Sequence, residues 1–317
     1  MKFAFVFPGQ GSQSVGMMQA WAARAEVRQT FTEASDALGM DLWQLVSDGP
    51  AELLNQTIHT QPAMLAADVA VWRVWCAAGG NLPAIMAGHS LGEYAALVAA
   101  GALDFIDAVR LVRFRAQAMQ HAVPEGVGAM AAILGLEEEM VRAVCCEAAA
   151  GEVVEAVNLN SPGQVVIAGH KSAVERAMVL AREKGAKRAV ALTVSVPSHS
   201  TLMMSAAENL WDFLQSVNIL PPSIAVLHNT DVARHHSAAS IRQALALQLH
   251  TPVRWSETIQ ALQQAGVEQV IECGPGKVLT GLTPRIDSGL SAMALADESS
   301  LQYALAATLT KQTEGSE

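Results

Sequence analysis

Residues 86–96, MAGHSLGEYAA, hold a serine between two glycines directly after a short apolar run. The spacing Gly88-His89-Ser90-Leu91-Gly92 is that of a nucleophile elbow, where a strand turns sharply into a helix and holds the serine Oγ above the sheet. A serine so placed, with a histidine as base, attacks ester or thioester carbonyls and carries the acyl group covalently. A tight structural turn is the alternative reading of the same residues. The flanks favour the elbow: AIMAG before it has the character of a short buried strand, and LGEYAALVAAGAL after it that of an alanine-rich helix.

A second chemical group stands on the segment DFIDAVRLVRFRAQAMQ, residues 104–120, which has helical periodicity and Asp104 as a candidate cap. Ala108, Leu111, Val112, Arg115, Ala118 and Met119 share one face, with Arg110, Arg113, Gln117 and Gln120 opposite. Arg115 is the only charge on the apolar stripe. A buried guanidinium needs an anionic partner, because an unpaired buried charge is strongly unfavourable. An internal Asp or Glu would meet that need. A ligand carboxylate, gripped bidentately by the planar fork, is the functional alternative.

Other chemistries find less support. His59, His121, His170, His235, His236 and His250 lack metal-ligand spacing, apart from the adjacent pair at 235 and 236, so no metal site is expected. His89 flanks the elbow and is expected to be packed or hydrogen-bonded rather than catalytic. GPGKVLTG has Val278 after Lys277 where a phosphate loop has Ser or Thr, and GQGSQSVG misses the dinucleotide-binding spacing. The four cysteines form no C-x-x-C pair, which suits a reduced, cytoplasmic setting. A net charge of −10 argues against nucleic acid as a partner, and the apolar stretches are too short and interrupted for a membrane span. One segment runs against the acidic balance. AREKGAKRA, residues 181–189, carries Arg182, Lys184, Lys187 and Arg188, either as a solvated helix end or as a docking patch for an acidic partner.

The elements that must hold these groups alternate between strand and helix from the start, which predicts an α/β class with parallel strands. FAFVF (3–7) has the pattern of a central strand. Helices are expected near 16–26, 29–38 and 61–77, then the strand before Ser90 and the helix from Asp104 to about 122. From residue 128 the character changes. AMAAIL, EEEMVRAVCCEAA, VVEAVNLN, QVVIAG, SAVERAMVLAREKG and KRAVALT follow in β-α-β-β-α-β order, that of a ferredoxin-like unit. Alternation resumes with helix 201–216, strand 224–228, helices near 238–249 and 254–266 and strand 268–272. The small unit therefore lies inserted, at 127–196, in a larger one made of 1–126 and 197–317. The closing TLTKQTEGSE is polar and expected to fray.

Four stretches, FVFPGQGSQ (5–13), GHSLGEY (88–94), VPSHS (196–200) and GPGKVLTGL (274–282), joined by NLNSPGQVVIAGH (158–170), carry a resemblance over nearly the whole length. In order and spacing the chain closely resembles the bacterial malonyl-CoA:acyl carrier protein transacylases of fatty acid synthesis. The resemblance implies an α/β-hydrolase-like large subdomain with a parallel sheet, interrupted by the ferredoxin-like small one. It implies Ser90 as nucleophile, His199 as catalytic histidine and Arg115 as the group that binds the malonyl carboxylate. Gln10 and Leu91 would supply oxyanion-hole N–H groups, and the backbone carbonyl of Gln248 would orient the histidine. Gln61 and Asn160 match positions lining the cleft. The implied reaction is ping-pong transfer of malonyl from malonyl-CoA to the phosphopantetheine thiol of acyl carrier protein, with no cofactor beyond the coenzyme A thioester. Two positions depart from the pattern: Ser200 follows the histidine where cysteine is also common, and His228 of LHNTDV stands where asparagine is frequent. A serine hydrolase or thioesterase is the rival reading. It wants an acid between serine and histidine, and Asp104 and Asp107, which lie there, suit a helix start instead. A carrier-protein-binding subunit without catalysis is disfavoured by the full set Ser90, His199 and Arg115, whereas an acyltransferase subunit of malonate metabolism would keep the same chemistry.

Overall fold

The computed structural model describes residues 1–194 and 196–309. The chain forms β1 (Phe3–Phe7) and β2 (Ile85–Gly88), then β3 (Gly128–Leu134), β4 (Val154–Ser161), β5 (Gln164–His170) and β6 (Arg188–Ala191), and finally β7 (Ala225–Leu227), β8 (Gln269–Glu272) and β9 (Ser291–Ala294). β1, β2 and β8 are buried at every position, as strands covered on both faces must be. They form the centre of a five-stranded sheet in the order β7-β2-β1-β8-β9, with every neighbouring pair parallel. Helix Thr57–Ala77 supplies much of the cover on one face, where Trp72 and Trp75 meet the Phe5 ring edge-on at 5.6 and 5.1 Å.

The remaining strands make a separate antiparallel sheet in the order β4-β5-β3-β6, the ferredoxin-like order. Helices Glu138–Ala148 and Lys171–Glu183 pack on it around a core of their own, in which Val141, Val144 and Val174 meet Ile133 and Ile167. β4 of this sheet is tied to the rest of the chain at Val253, which lies between helices Ala238–Gln248 and Trp255–Gln264; its N–H donates to Val157 O (2.8 Å) and its carbonyl accepts from Leu159 N (3.0 Å). The α/β class with two subdomains is therefore the architecture of the molecule.

Four expectations need correction or completion. No α-helix spans 16–26. Met18 and Trp21 are buried three residues apart, a spacing met by successive i→i+3 turns such as Trp21 N to Met18 O (3.0 Å) and Arg24 N to Trp21 O (2.9 Å). Beyond β8 the chain adds helix Val278–Ile286, β9 and helix Glu298–Leu309, which the sequence pattern did not disclose. The polar tail expected to fray falls, from residue 310 on, outside the described residues. Of the basic segment, Arg182 donates to Ala189 O (2.8 Å) and Lys184 pairs with Glu147 (3.5 Å), so two of its four cations are engaged locally.

Candidate active site

Ser90 stands where β2 stops and helix Gly92–Ala99 begins, with a φ of 52°. The turn is tight enough to exclude side chains on both flanks. A Cβ on Gly88 would come within 1.9 Å of the Gly92 carbonyl carbon, and one on Gly92 within 2.0 Å of Phe7 O. The turn is pinned from outside by Asn229, which accepts from Ser90 N at 2.7 Å and donates to Gly88 O at 2.6 Å.

His199 approaches from the loop before helix Met204–Leu214, also at positive φ (66°), its N–H bonded to Leu249 O at 2.9 Å. Its Nδ1 lies 2.7 Å from Gln248 O. A carbonyl only accepts, so Nδ1 carries the proton and Nε2 is left as an acceptor. Ser90 Oγ donates to that Nε2 across 2.8 Å. Burial, reinforced by the positive charge of Arg115, pushes the imidazole down to about 3, so at neutral pH it is an uncharged base. No carboxylate touches His199 among the described residues. Asp104 instead caps the helix Phe105–Ala122 by accepting from Ile106 N (2.9 Å) and Asp107 N (3.1 Å), which leaves the acid of a hydrolase triad without a candidate.

Arg115, only 2% exposed, reaches in from the apolar face of that helix. Its guanidinium donates to Gln61 Oε1 (2.8 Å), to Gln248 Oε1 (2.9 Å) and, at 3.3 Å, to Ser90 Oγ. It also lies 5.5 Å from the Tyr94 ring centroid. All these partners are neutral. The internal salt bridge that the sequence left open is absent among the described residues, and burial draws the guanidinium's pKa down, offset only in part by Tyr94 and by Glu93, which lies beyond the Gln248 amide. A charged group is thus held in place beside a serine hydroxyl with no carboxylate paired to it directly.

A cavity of about 610 Å³ opens over these groups and is lined by Gln10, His89, Ser90, Leu91, Arg115 and His199, with Met130 and Val194 from the small subdomain. The N–H groups of Gln10 and Leu91 donate to no protein acceptor among the described residues, while that of Ser90 is occupied by Asn229. Gln61 and Asn160 do not form the cavity wall that sequence matching suggested. Gln61 is buried behind Arg115, and Asn160 is behind His89, whose Nε2 lies 2.8 Å from its Oδ1. Gln248 likewise lies beneath the site, touching it through its main-chain and side-chain oxygens.

Several residues of the arrangement escaped sequence reasoning. Glu93 has the position of an ordinary acid in a first helical turn, and Asn229 that of a loop residue. His228, an unexplained imidazole in the sequence, is fully buried with Nδ1 2.7 Å from Glu93 Oε1. Only the tertiary fold brings these three together.

Residues 4–311 match the family model described as acyl transferase domain. The malonyl CoA-acyl carrier protein transacylases of Salmonella typhimurium and Escherichia coli are each 56% identical over 305 residues, spanning 96% of this chain and 99% of the relative. The solved acyl-carrier-protein S-malonyltransferase from Burkholderia pseudomallei has 59% identity and a TM-score of 0.95, over 96% of this chain and 100% of that one. A malonyl-transacylase solved in complex with its type II PKS acyl-carrier protein has 55% identity and a TM-score of 0.96, over 97% and 100%.

Proposed function

We propose that this chain, which belongs to the acyl transferase domain family, transfers malonyl from malonyl-CoA to the phosphopantetheine thiol of acyl carrier protein, in fatty acid synthesis. The observation that carries the reading is Arg115. It is a buried guanidinium held by neutral oxygens next to a serine–histidine pair, and it suits an acyl group that brings its own carboxylate. The named relatives and the carrier-protein complex of a similar structure support the same substrate and partner.

In the first half-reaction the Ser90 proton passes to His199 Nε2 as Oγ bonds the thioester carbonyl carbon. The resulting oxyanion takes hydrogen bonds from Gln10 N and Leu91 N, each donor contributing roughly 3–4 kcal/mol in sites of this kind. Collapse breaks the carbon–sulfur bond, and coenzyme A leaves with the proton from His199. In the second half the carrier-protein thiol gives its proton to His199, attacks the malonyl-serine, and the proton returns to Ser90 Oγ. Gln248 O keeps the imidazole in the tautomer this needs. Ser90 and His199 supply nucleophile and base, so the scheme calls for no group beyond the coenzyme A thioester. A cytoplasmic setting belongs to this reading, supported by the four unpaired cysteines. So does a division into 1–126 with 197–317 and 127–196, supported by the second sheet and its separate core.

Incubation with radiolabelled malonyl-CoA, quenching and peptide mapping test the scheme. Label should sit on the Ser90 peptide, move to added carrier protein, and vanish in Ser90→Ala. Undiminished labelling of Ser90→Ala refutes the assignment of the nucleophile.

A further inference from the structure

Behind the cavity, Glu93 sits with no exposed surface in the first turn of the helix after the elbow, its carboxyl bonded to none of the side chains that meet substrate. Its carboxyl receives three hydrogen bonds from two segments distant in sequence. Oε1 is 2.7 Å from His228 Nδ1, and Oε2 accepts from Asn229 N and from Gln248 Nε2, each at 2.9 Å. Two of those three partners hold the site. Asn229 bonds Ser90 N and Gly88 O on the two sides of the elbow. Gln248 gives its side-chain oxygen to Arg115 and its main-chain oxygen to His199, and its Nε2 is shared with Ser90 O at 3.0 Å.

The chemistry of this chain of contacts allows one arrangement only. A carboxylate accepts and never donates, and a guanidinium donates and never accepts. The Gln248 amide lies between them, so its NH2 must face Glu93 and its oxygen must face Arg115. Ser90 O, 3.0 Å from Nε2, favours the same sense, so a donor at 93 removes one of the two acceptors that hold the NH2 away from the guanidinium; an amide turned the other way takes an acceptor from Arg115 and sets donor against donor. Asn229 is ordered by the same carboxyl through its main chain. We propose that Glu93 is a positioning residue for acyl transfer. Its carboxyl sets the orientation of the Gln248 amide, and through it the aim of Arg115 at the acyl carboxylate.

This rests on the malonyl transfer described above, and the test separates the two. The acylation rates of Ser90 by malonyl-CoA and by acetyl-CoA are measured for the wild type, Glu93→Gln, Gln248→Met and the double variant. The glutamine keeps the shape of Glu93 but adds a donor, and the methionine deletes the amide while sparing the main-chain oxygen. A hydrogen bond to a charged group is worth a factor of about ten or more, so each single variant should lower the malonyl-to-acetyl ratio by at least about tenfold. Because both changes break one path, the double variant should lose no more than the worse single. A purely structural acid predicts a lower melting temperature with both acyl groups affected alike. Retention of the ratio in Glu93→Gln, or losses that multiply in the double variant, overturns the proposal. If Glu93→Gln does not fold, Glu93→Asp takes its place in the same cycle. It keeps the acceptor but withdraws it by one methylene, and the same non-additivity is expected. Absence of any malonyl-serine in the wild type overturns both readings, whereas a labelled wild type with an insensitive ratio overturns this one alone.

Discussion

Replacing Arg115 by alanine should separate malonyl from acetyl. The guanidinium is 2% exposed and bonded at 2.8 and 2.9 Å to two amide oxygens, so the charge is shielded from water and has no directly paired anion. A malonyl carboxylate would be the missing anion. Truncating one partner of a buried, hydrogen-bonded charge pair costs about 2–5 kcal/mol, so malonyl loading of Ser90 should fall by about 30- to 5,000-fold. Acetyl-CoA brings no carboxylate, and in the wild type it leaves the guanidinium buried without an anion. Alanine removes that penalty. It also removes the positive charge that, after burial, most depresses the basicity of His199. Acetyl loading should therefore hold or rise. Arg115→Lys should not restore malonyl loading, since an ammonium cannot span two oxygens as the fork does. Alanine leaves the oxygens of Gln61 and Gln248 without a donor, so thermal stability is not the deciding observable. The ratio of acylation rates, read by rapid quenching with each labelled thioester, is. Equal losses for both acyl groups would refute the specificity argument.

Two further predictions concern protons. With His199 held at about 3, the pH profile of Ser90 acylation should show no histidine limb between about pH 5 and 8, and Arg115→Ala should shift that limb upward while burial keeps it below 6.5. A wild-type limb near 6.5 would contradict this. Asp68 is buried without a hydrogen-bond partner for its carboxyl oxygens, and burial, with Glu272 nearby, raises its pKa well above the ordinary 3.8. The folded state then holds a proton that the unfolded chain releases, so each pH unit above 3.8 favours unfolding by about 1.4 kcal/mol until the raised value is passed. Asp68→Asn should therefore raise stability more as pH rises and give no pH-linked gain below 3.8, as measured by denaturant titration across pH. A gain independent of pH would remove Asp68 as its source.

What the sequence discloses follows from how local the signal is. Ser90 is legible because an elbow confines its glycines to fixed offsets, and the clashes a Cβ would make at Gly88 and Gly92 are the reason for those offsets. Arg115 is legible because a charge on an apolar stripe contradicts the periodicity around it. The β-α-β-β-α-β order needs only the succession of periods, and the sheet pairs as that order requires. Met18 and Trp21 mislead because apolar residues three apart fit a helix and a run of tight turns equally. β9 has no fully buried position, so it lacks the apolar run that marks β1. Gln61 and Asn160 were matched as cleft residues, but a motif cannot tell a residue in a wall from one bracing it.

The reason for a glutamine rather than an acid beside Arg115 lies in this distinction. A carboxylate at Gln248 Oε1, 2.9 Å from the guanidinium, would satisfy the charge and leave little for a ligand carboxylate to gain. An amide oxygen fixes the same geometry without neutralising it. The acid the region does contain, Glu93, is kept one amide away, its oxygens taken by His228, Asn229 and Gln248. Under the proposed malonyl transfer, selectivity by carboxylate should follow, because a substrate lacking one would be bound against a buried charge that has no directly paired anion.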